Sequence, residues 1–319
     1  MKIVILDAHA VNPGDLDWNI LSSFGDLIVY PHTLPEETFD RINDAEIVLT
    51  NKTIISKEII ESCPNLKYVG VLATGYNVVD LDAATKNGIV VTNIPGYGTM
   101  AVAQFVFALL LEICCRVQLH SDDVHAGGWI SSRDFCYWKT PQIELEGKTF
   151  GIFGFGSIGQ AVANIALSFG MKVICYTRSP EKLLENSKVK KVSLEDLFSQ
   201  SDIISLHSPL TKDTENLINE KTIDKMKNDV IILNTARGPI VNESDMRNAL
   251  ENKKVGFYAA DVISYEPMLS DNPLLNAPNC IITPHIAWAT KEARTRLLNI
   301  AVENIKSFIQ GSPINKVNK

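Results

Sequence analysis

A glycine-rich turn constrains the fold of this chain more than any other segment of its sequence. The turn, Gly154-Phe155-Gly156-Ser157-Ile158-Gly159, directly follows the apolar run Thr149–Phe153 and opens an apolar helical stretch. A strand, such a turn and a helix in this order are typical of a dinucleotide-binding βαβ unit. Gly154 would permit the tight turn, Gly156 the close approach of a pyrophosphate, and Gly159 the close packing of helix on strand. The N–H groups of Ser157 and Ile158 would face the phosphates, whereas the alternative is an ordinary βα turn that happens to hold three glycines.

Apolar, β-rich runs alternate with amphipathic stretches on both sides of this turn, which predicts βαβ units and parallel sheets. The strands expected in the first series are Ile3–Leu6, Leu27–Tyr30, Ile47–Thr50, Tyr68–Leu72 and Ile89–Thr92. The strands expected in the second series are Thr149–Phe153, Lys172–Tyr176, Asp202–Leu206, Val230–Leu233, Phe257–Ala260 and Cys280–Thr283. Six strands in the second series suit a doubly wound nucleotide-binding sheet.

Two further helices are predicted outside this alternation. The stretch from Met100 to about Leu119 is apolar nearly all round, so we expect a helix buried at a domain junction or a subunit interface. Its most apolar part, Ala101–Cys115, falls short of the about 20 residues that span a bilayer. A capped helix is expected beyond Trp288, ending at Gly311 and returning to the first domain.

Charge and cysteine content exclude several classes of protein. The chain of 319 residues has a net charge of −7, which argues against a nucleic-acid partner or an acidic membrane surface. Its six cysteines form no C-x-x-C pair, so neither a disulfide framework nor a metal site is expected. The first apolar run is too short for a signal peptide, and we therefore expect a cytoplasmic protein.

The second strand of the nucleotide series ends in Thr177-Arg178-Ser179, where an NAD site carries an acidic residue. A guanidinium flanked by two hydroxyls can bind a 2′-phosphate through charge-assisted hydrogen bonds. We therefore predict that NADP(H) is favoured over NAD(H). The alternative is that Arg178 lies in solvent and the site takes either cofactor.

Unusual polar residues follow three later strands of this series. Arg237, Asp261 and His285 each come after an apolar run, and Glu266 lies on a loop next to Asp261. In an open parallel sheet the carboxyl ends of the strands face the ligand, so we expect these side chains to lie near the cofactor. Singly, each has an ordinary alternative as a satisfied structural histidine or a solvated charge.

At these residues the chain resembles the D-isomer-specific 2-hydroxyacid dehydrogenase family. The motifs that carry the resemblance are Gly154–Gly159, Ser205–Thr211, Asn234–Gly238, Asp261–Pro267 and Thr283–Trp288. Within the family, the segments Thr50–Thr53, Ala73–Asn77, Phe135–Trp138 and His285–Ala289 are similar to the glycerate dehydrogenase (hydroxypyruvate/glyoxylate reductase) branch. The resemblance implies an α/β protein with two Rossmann-like domains and parallel sheets. A flavodoxin-like substrate domain would comprise residues 1–98 and 289–319, and a doubly wound NAD(P)-binding domain residues 99–288.

The resemblance also implies roles for individual residues. His285 would give a proton to the substrate carbonyl oxygen, Glu266 would bind the far imidazole nitrogen, and Arg237 would grip the carboxylate or carbonyl of a 2-oxo acid. Other cofactor contacts would come from His207, Pro209, Thr235, Ala236, Asp261 and Ala287, with Asp261 receiving the carboxamide. Substrate contacts would come from Lys52, Ala73, Thr74 and Gly75, although Lys52 has the alternative of a solvated strand-end lysine.

These roles predict a reversible hydride transfer between NAD(P)H and a short 2-oxo acid, hydroxypyruvate or glyoxylate. The resemblance further implies a homodimer whose interface includes residues 100–140. A D-lactate-type or other 2-hydroxyacid dehydrogenase is the alternative enzyme. An NAD(H)-sensing binding protein similar to the co-repressors of this fold is the alternative outside enzymology.

Overall fold

Every pair of strands in the described part of the chain is parallel, as the alternation of strands and helices predicts. The computed structural model describes residues 1–178 and 188–319. The chain divides into two units, one of Met1–Gly98 with Trp288–Lys319 (unit 1) and one of Thr99–Ala287 (unit 2). Each unit has its own sheet, which confirms the predicted α/β fold class.

The sheet of unit 1 has five strands in the order β2-β1-β3-β4-β5, which is the flavodoxin-like order. Its strands are β1 (Lys2–Ile5), β2 (Asp26–Val29), β3 (Ile47–Thr50), β4 (Tyr68–Val71) and β5 (Val90–Thr92). Each lies within one residue of its predicted bounds. The central strands β3 and β4 are fully buried and show the nearly continuous apolar run of a buried parallel strand.

The α-helices of unit 1 are α1 (Ala8–Val11), α2 (Thr38–Ile42), α3 (Lys57–Ser62), α4 (Leu81–Lys86) and α11 (Lys291–Ile309), with 3₁₀ turns at Trp18–Phe24 and Pro35–Glu37. Thr290 caps α11 by accepting from the N–H of Ala293 at 3.2 Å. The buried side chains of α11 include Leu297, Ala301 and Ile305, which recur with the helical period. The predicted terminal helix is therefore present and completes the core of unit 1.

Unit 2 has a sheet of seven strands within the described residues, in the order β12-β11-β10-β9-β6-β7-β8. The strands are β6 (Thr149–Phe153), β7 (Lys172–Tyr176), β8 (Val189–Lys191), β9 (Ile203–Leu206), β10 (Val230–Asn234), β11 (Val255–Ala260) and β12 (Cys280–Ile282). Read from β8, the first six follow the 3-2-1-4-5-6 order of a doubly wound dinucleotide-binding sheet. The edge strand β8 is an addition to the six predicted strands.

The α-helices described in unit 2 are α5 (Thr99–Cys115), α6 (Val117–His125), α7 (Ser157–Ser168), α8 (Leu194–Gln200), α9 (Glu220–Ile223) and α10 (Glu243–Glu251), with a 3₁₀ turn at Gly238–Ile240. Neighbouring residues of one strand, such as Ile203 and Ile204, belong to different apolar clusters because successive side chains point to opposite faces. Helices thus cover both faces of this sheet.

The apolar helix expected from Met100 to about Leu119 needs a correction. It ends at Cys115, because Arg116 adopts a left-handed conformation with φ of 47°, and α6 continues at an angle of 54°. Much of α5 is buried inside unit 2, where it packs against α7, β10 and β11. In the described part of the chain no single helix is long and apolar enough to cross a membrane. The bent pair α5 and α6 together has the length and apolar composition of a membrane span, by these two criteria alone.

Candidate active site

The glycine turn has the geometry that its sequence predicts. Gly154 has φ of +95°, and a Cβ there would lie 2.7 Å from the carbonyl oxygen of His207. A Cβ at Gly159 would lie 2.3 Å from the carbonyl oxygen of Gly154, where helix α7 crosses the end of β6. Both positions therefore accept only glycine, the first for conformation as well as space and the second for space.

Gly156 differs from its two neighbours in the motif. A Cβ there would meet no atom within 4 Å, and the residue is the N-cap of the 12-residue helix α7 without a side-chain hydrogen bond to the first turn. Space is therefore open at Gly156, next to the N–H groups of Ser157 and Ile158 that begin the helix. An anion that binds here would accept from these groups at the positive end of the helix.

Two buried hydroxyls at the end of the same sheet have no hydrogen-bond partner in the described part of the protein. They are Ser208 Oγ and Thr235 Oγ1, just beyond the carboxyl ends of the adjacent strands β9 and β10. A buried hydroxyl that lacks a partner costs free energy unless something supplies the missing hydrogen bond. Together with the open space at Gly156, these orphaned hydroxyls fit the sugar and phosphate groups of a dinucleotide.

His207 precedes Ser208 and is held in its neutral form. Its Nε2 lies 2.8 Å from Ser205 Oγ, and burial lowers the pKa of the imidazole to about 3. Pro209 is exposed, and its carbonyl oxygen accepts from Thr214 Oγ1 at 2.9 Å. This segment therefore presents an uncharged border to the glycine turn.

The end of β7 is only partly described. Thr177 is buried, whereas Arg178 is exposed and forms an ion pair of 3.6 Å with the exposed Asp213. Ser179, which was predicted to bind the cofactor, lies outside the described residues. An exposed ion pair of this kind contributes little stability, so Arg178 can exchange Asp213 for a phosphate at small cost.

The turn after β10 presents Arg237 and is shaped by the fully buried Asn234. Asn234 Nδ2 donates to the carbonyl oxygen of Arg237 at 3.0 Å, and Asn234 Oδ1 accepts from the N–H of Ala236 at 3.0 Å. Arg237 itself is exposed, with Nη1 donating to the carbonyl oxygen of Ala236 at 2.6 Å. The rest of its guanidinium fork is available for a bidentate anion.

Asp261 organises the loop that carries His285. Its buried carboxylate accepts from Thr283 Oγ1 at 2.6 Å, from the N–H of Ile286 at 2.8 Å and from the N–H of Ala287 at 2.7 Å. Burial raises the pKa of Asp261, and these hydrogen bonds oppose the rise. The structure thus shows Asp261 as the residue that positions this loop, a role the sequence did not suggest.

His285 and Glu266 form the central pair of the candidate site. His285 Nδ1 lies 2.7 Å from Glu266 Oε2, and Glu266 Oε1 accepts from the N–H of Ile263 at 3.2 Å. His285 has φ of 57°, an uncommon conformation for histidine, in the loop that Asp261 holds. None of the hydrogen bonds among the described residues uses His285 Nε2, so this nitrogen can exchange a proton with a ligand.

The predicted substrate residues lie in unit 1, after strands β3 and β4. Asp7 accepts from the N–H groups of Asn51 at 2.7 Å and Thr53 at 2.9 Å, and also from that of the intervening, exposed Lys52. Ala73 and Gly75 are half-buried. Thr74 is exposed, but hydrogen bonds hold both its side chain and its backbone. Its Oγ1 donates to the carbonyl oxygen of Ile94 at 2.9 Å, and its own carbonyl oxygen accepts from Asn93 Nδ2 at 2.8 Å.

Some of these contributions were missed at the level of sequence. Asn234 and Ser208 stand inside the motifs Asn234–Gly238 and Ser205–Thr211, but the sequence does not indicate a role for either. Asp7 lies two residues beyond the end of β1, and a carboxylate just after a strand is a signal that could have indicated it. Among the described residues no group of three or more His, Cys, Asp or Glu side chains could hold a metal ion.

Comparisons with known proteins agree with this geometry. The model of the NAD-binding domain of D-isomer specific 2-hydroxyacid dehydrogenases matches residues 107–287. A hydroxypyruvate reductase of Blautia hydrogenotrophica is 54% identical over 322 residues, which cover 100% of both chains. A glycerate dehydrogenase of Methylorubrum extorquens is 37% identical over 99% of this chain and 98% of its own. An acyclic imino acid reductase, solved with NADPH and D-Arg, has a TM-score of 0.86 and 32% identity over 99% of this chain and 100% of that one.

Alanine substitutions separate the roles of two glycines in the turn. We expect Gly159→Ala to lower the free energy of unfolding by about 1–3 kcal/mol, and with it the melting temperature, because the added Cβ would clash with the backbone of Gly154. Gly156→Ala should leave the melting temperature unchanged but weaken dinucleotide binding about tenfold, since its methyl group fills the open space. Calorimetry and fluorescence titration with NADH and NADPH measure both effects. Unchanged dinucleotide affinity in Gly156→Ala would contradict the assignment.

Proposed function

The chain belongs to the D-isomer specific 2-hydroxyacid dehydrogenase family, and we propose that it reduces a short 2-oxo acid with a nicotinamide cofactor. Hydroxypyruvate and glyoxylate are the first candidates, because the relatives named above include a hydroxypyruvate reductase and a glycerate dehydrogenase. The observation that carries the proposal is the 2.7 Å contact between His285 Nδ1 and Glu266 Oε2, which leaves Nε2 for the substrate.

His285 is the proposed acid in reduction and the base in oxidation. Its Nε2 donates a proton to the substrate carbonyl oxygen as this oxygen gains negative charge. Glu266 accepts from Nδ1–H, which fixes the orientation of the ring and directs Nε2 to the substrate. Arg237 binds the substrate carboxylate or carbonyl through its guanidinium fork and orients the carbon that accepts the hydride.

The proposed cofactor residues follow the glycine turn and the strand ends of unit 2. The N–H groups of Ser157 and Ile158 bind the pyrophosphate, with Gly154, Gly156 and Gly159 shaping the turn. His207, Pro209, Ala236, Asp261 and Ala287 border the dinucleotide, and Ser208 joins Thr235 in supplying a hydroxyl. The nicotinamide supplies the hydride when it is bound.

The preference for NADP(H) is part of the proposal and depends on Thr177 and Arg178. The Arg178 guanidinium favours a 2′-phosphate, while the Asp213 carboxylate at 3.6 Å opposes it. In unit 1 we propose that the backbone around Ala73, Thr74 and Gly75 and the Lys52 side chain contact the substrate. The expected cytoplasmic location stays a prediction.

The proposed homodimer interface lies in the segment that follows α5. Its exposed apolar side chains include Val117, Trp129, Ile130, Phe135 and Trp138, the most exposed being Ile130 at 91% and Phe135 at 89%. Asp123 holds this segment in place by binding Tyr137 Oη and Lys139 Nζ, both at 2.6 Å. An ordered apolar surface of this kind is typical of a protein–protein contact.

Sedimentation velocity tests the dimer. The wild type should sediment as a dimer, and Ile130→Asp or Phe135→Asp should yield monomers because each would place a charge at the apolar contact. Ile54→Asp is the matched control, since Ile54 is 66% exposed in unit 1 and should leave the dimer intact. A monomeric wild type at micromolar concentration would refute the interface.

The proposed substrate and cofactor are tested by steady-state kinetics with hydroxypyruvate, glyoxylate, pyruvate and phenylpyruvate, each with NADH and NADPH. We expect the highest kcat/KM for hydroxypyruvate or glyoxylate, and Arg178→Gln should raise the KM for NADPH but not for NADH. A clear preference of the wild type for NADH would overturn the NADP(H) assignment. Tight cofactor binding without turnover of any 2-oxo acid would instead favour the NAD(H)-sensing binding protein.

The pairing of His285 with Glu266 predicts a loss of rate when the pair is broken. Glu266→Gln should lower kcat for hydroxypyruvate reduction about tenfold, because the carboxylate that orients the imidazole through Nδ1 is lost. Steady-state kinetics measure it. The surface variant Glu251→Gln is the control, and an unchanged kcat in Glu266→Gln would show that the pairing has no role in catalysis.

A further inference from the structure

A second carboxylate, that of Glu243, binds the loop that carries Glu266. Glu243 is the first residue of α10 and is half-buried. Its Oε1 accepts from the N–H of Ser264 at 2.7 Å, and its Oε2 accepts from Asn272 Nδ2 at 2.9 Å. Ser264 and Asn272 lie on either side of Glu266 in sequence, so the Glu243 carboxylate binds the loop at both of its ends.

The hydrogen bonds of the loop connect Glu243 to the catalytic pair in three steps. Two successive residues of the loop donate to two different carboxylates. The N–H of Ile263 donates to Glu266, and the N–H of Ser264 donates to Glu243. Glu266 in turn binds His285 Nδ1 at 2.7 Å. The orientation of the Ile263–Ser264 backbone therefore affects where the Glu266 carboxylate lies.

Packing holds the same backbone from a second direction. A Cβ at Gly238 would lie 1.9 Å from the carbonyl carbon of Ile263 and 2.4 Å from the nitrogen of Ser264. Gly238 directly follows Arg237, so the turn that presents the guanidinium touches the loop that presents Glu266. The loop is thus confined between the backbone of Gly238 and the carboxylate of Glu243.

The bonding pattern at Glu243 requires a carboxylate rather than an amide. Both of its oxygens accept hydrogen bonds, whereas a glutamine has one acceptor and one donor. Asn272 cannot compensate by turning its amide, because its Oδ1 already accepts from the N–H of Leu274 at 2.9 Å. A glutamine at this position would therefore lose one of the two contacts.

We propose that Glu243 is a positioning residue of the active site, which holds the loop at Ile263–Ser264 so that Glu266 keeps His285 aligned for proton transfer. The inference rests on the proposed function of the His285–Glu266 pair. It assigns to Glu243 an effect on the chemical step and none on dinucleotide binding, since its hydrogen-bond partners among the described residues lie in the 264–272 segment.

A double-mutant cycle tests the proposal with Glu243→Gln, Glu266→Gln and the variant that combines them. Glu243→Gln should lower kcat for hydroxypyruvate reduction about tenfold, with the KM for the cofactor unchanged, because a hydrogen bond to a charged group is lost. In the Glu266→Gln background the same substitution should change kcat less than about twofold. An equal loss in both backgrounds would overturn the proposal.

Asp245→Asn is the matched control on the same helix. It removes the same charge two residues away, but Asp245 Oδ2 accepts from the N–H of Glu220 and does not contact the loop. This variant should retain wild-type kcat, and a loss equal to that of Glu243→Gln would show a general effect of helix charge. If Glu243→Gln fails to fold, Glu243→Asp keeps the charge on a shorter side chain and enters the same cycle.

Hydrogen exchange separates a failure of this inference from a failure of the proposed function. The amides of Ile263 and Ser264 should exchange about tenfold faster in Glu243→Gln than in the wild type or Asp245→Asn, whether or not the protein turns over a 2-oxo acid. Unchanged exchange at these amides would overturn the positioning role. Faster exchange in a protein without reductase activity would instead refute the proposed function.

Discussion

Parallel pairing is the constraint on which the rest of this structure depends. Strands that run in the same direction have their carboxyl ends at one edge of the sheet, so the residues after β6, β9, β10, β11 and β12 are neighbours although they are far apart in sequence. The glycine turn, the orphaned hydroxyls, Arg237 and His285 all follow strands of this one sheet. The helices on its two faces bury the apolar side chains and leave this edge for polar ones.

Loops at such an edge expose backbone N–H groups that no neighbouring strand can bind, and this protein binds many of them with carboxylates. Asp7 and Asp261 each accept from several backbone N–H groups, and Glu243 accepts from one, in loops close to candidate site residues. These carboxylates add negative charge near a site whose proposed ligands, a dinucleotide and a 2-oxo acid, are themselves anions. The net charge of −7 is therefore a poor guide to the site, where Arg237 and the amides of α7 provide the local positive potential.

The strands could be predicted from sequence to within a residue or two at most ends, because each is a short apolar run between polar helices. The edge strand β8 (Val189–Lys191) could not be predicted in this way, because it has only three residues and two of them are exposed lysines, which leaves no apolar pattern. The break at Arg116 was equally hidden, because neither glycine nor proline marks it. The family resemblance implies the pairing of His285 with Glu266. The sequence does not indicate that Asp261 positions the His285 loop, because the hydrogen-bond partners of the Asp261 carboxylate lie more than twenty residues further along the chain.

The composition of unit 1 from both ends of the chain has a consequence for synthesis. Asn304 on α11 donates to the carbonyl oxygen of Asn93 at 3.0 Å, and Lys316 forms a β-bridge with Thr92 at the edge of the five-stranded sheet. A nascent chain that has emerged from the ribosome only as far as residue 287 contains all of unit 2 but lacks this helix and this bridge. Unit 2 can therefore fold before unit 1 is complete, although unit 1 contains the first residues to be translated. Until residues 288–319 emerge, strand β5 lacks the contacts that cover it in the folded protein.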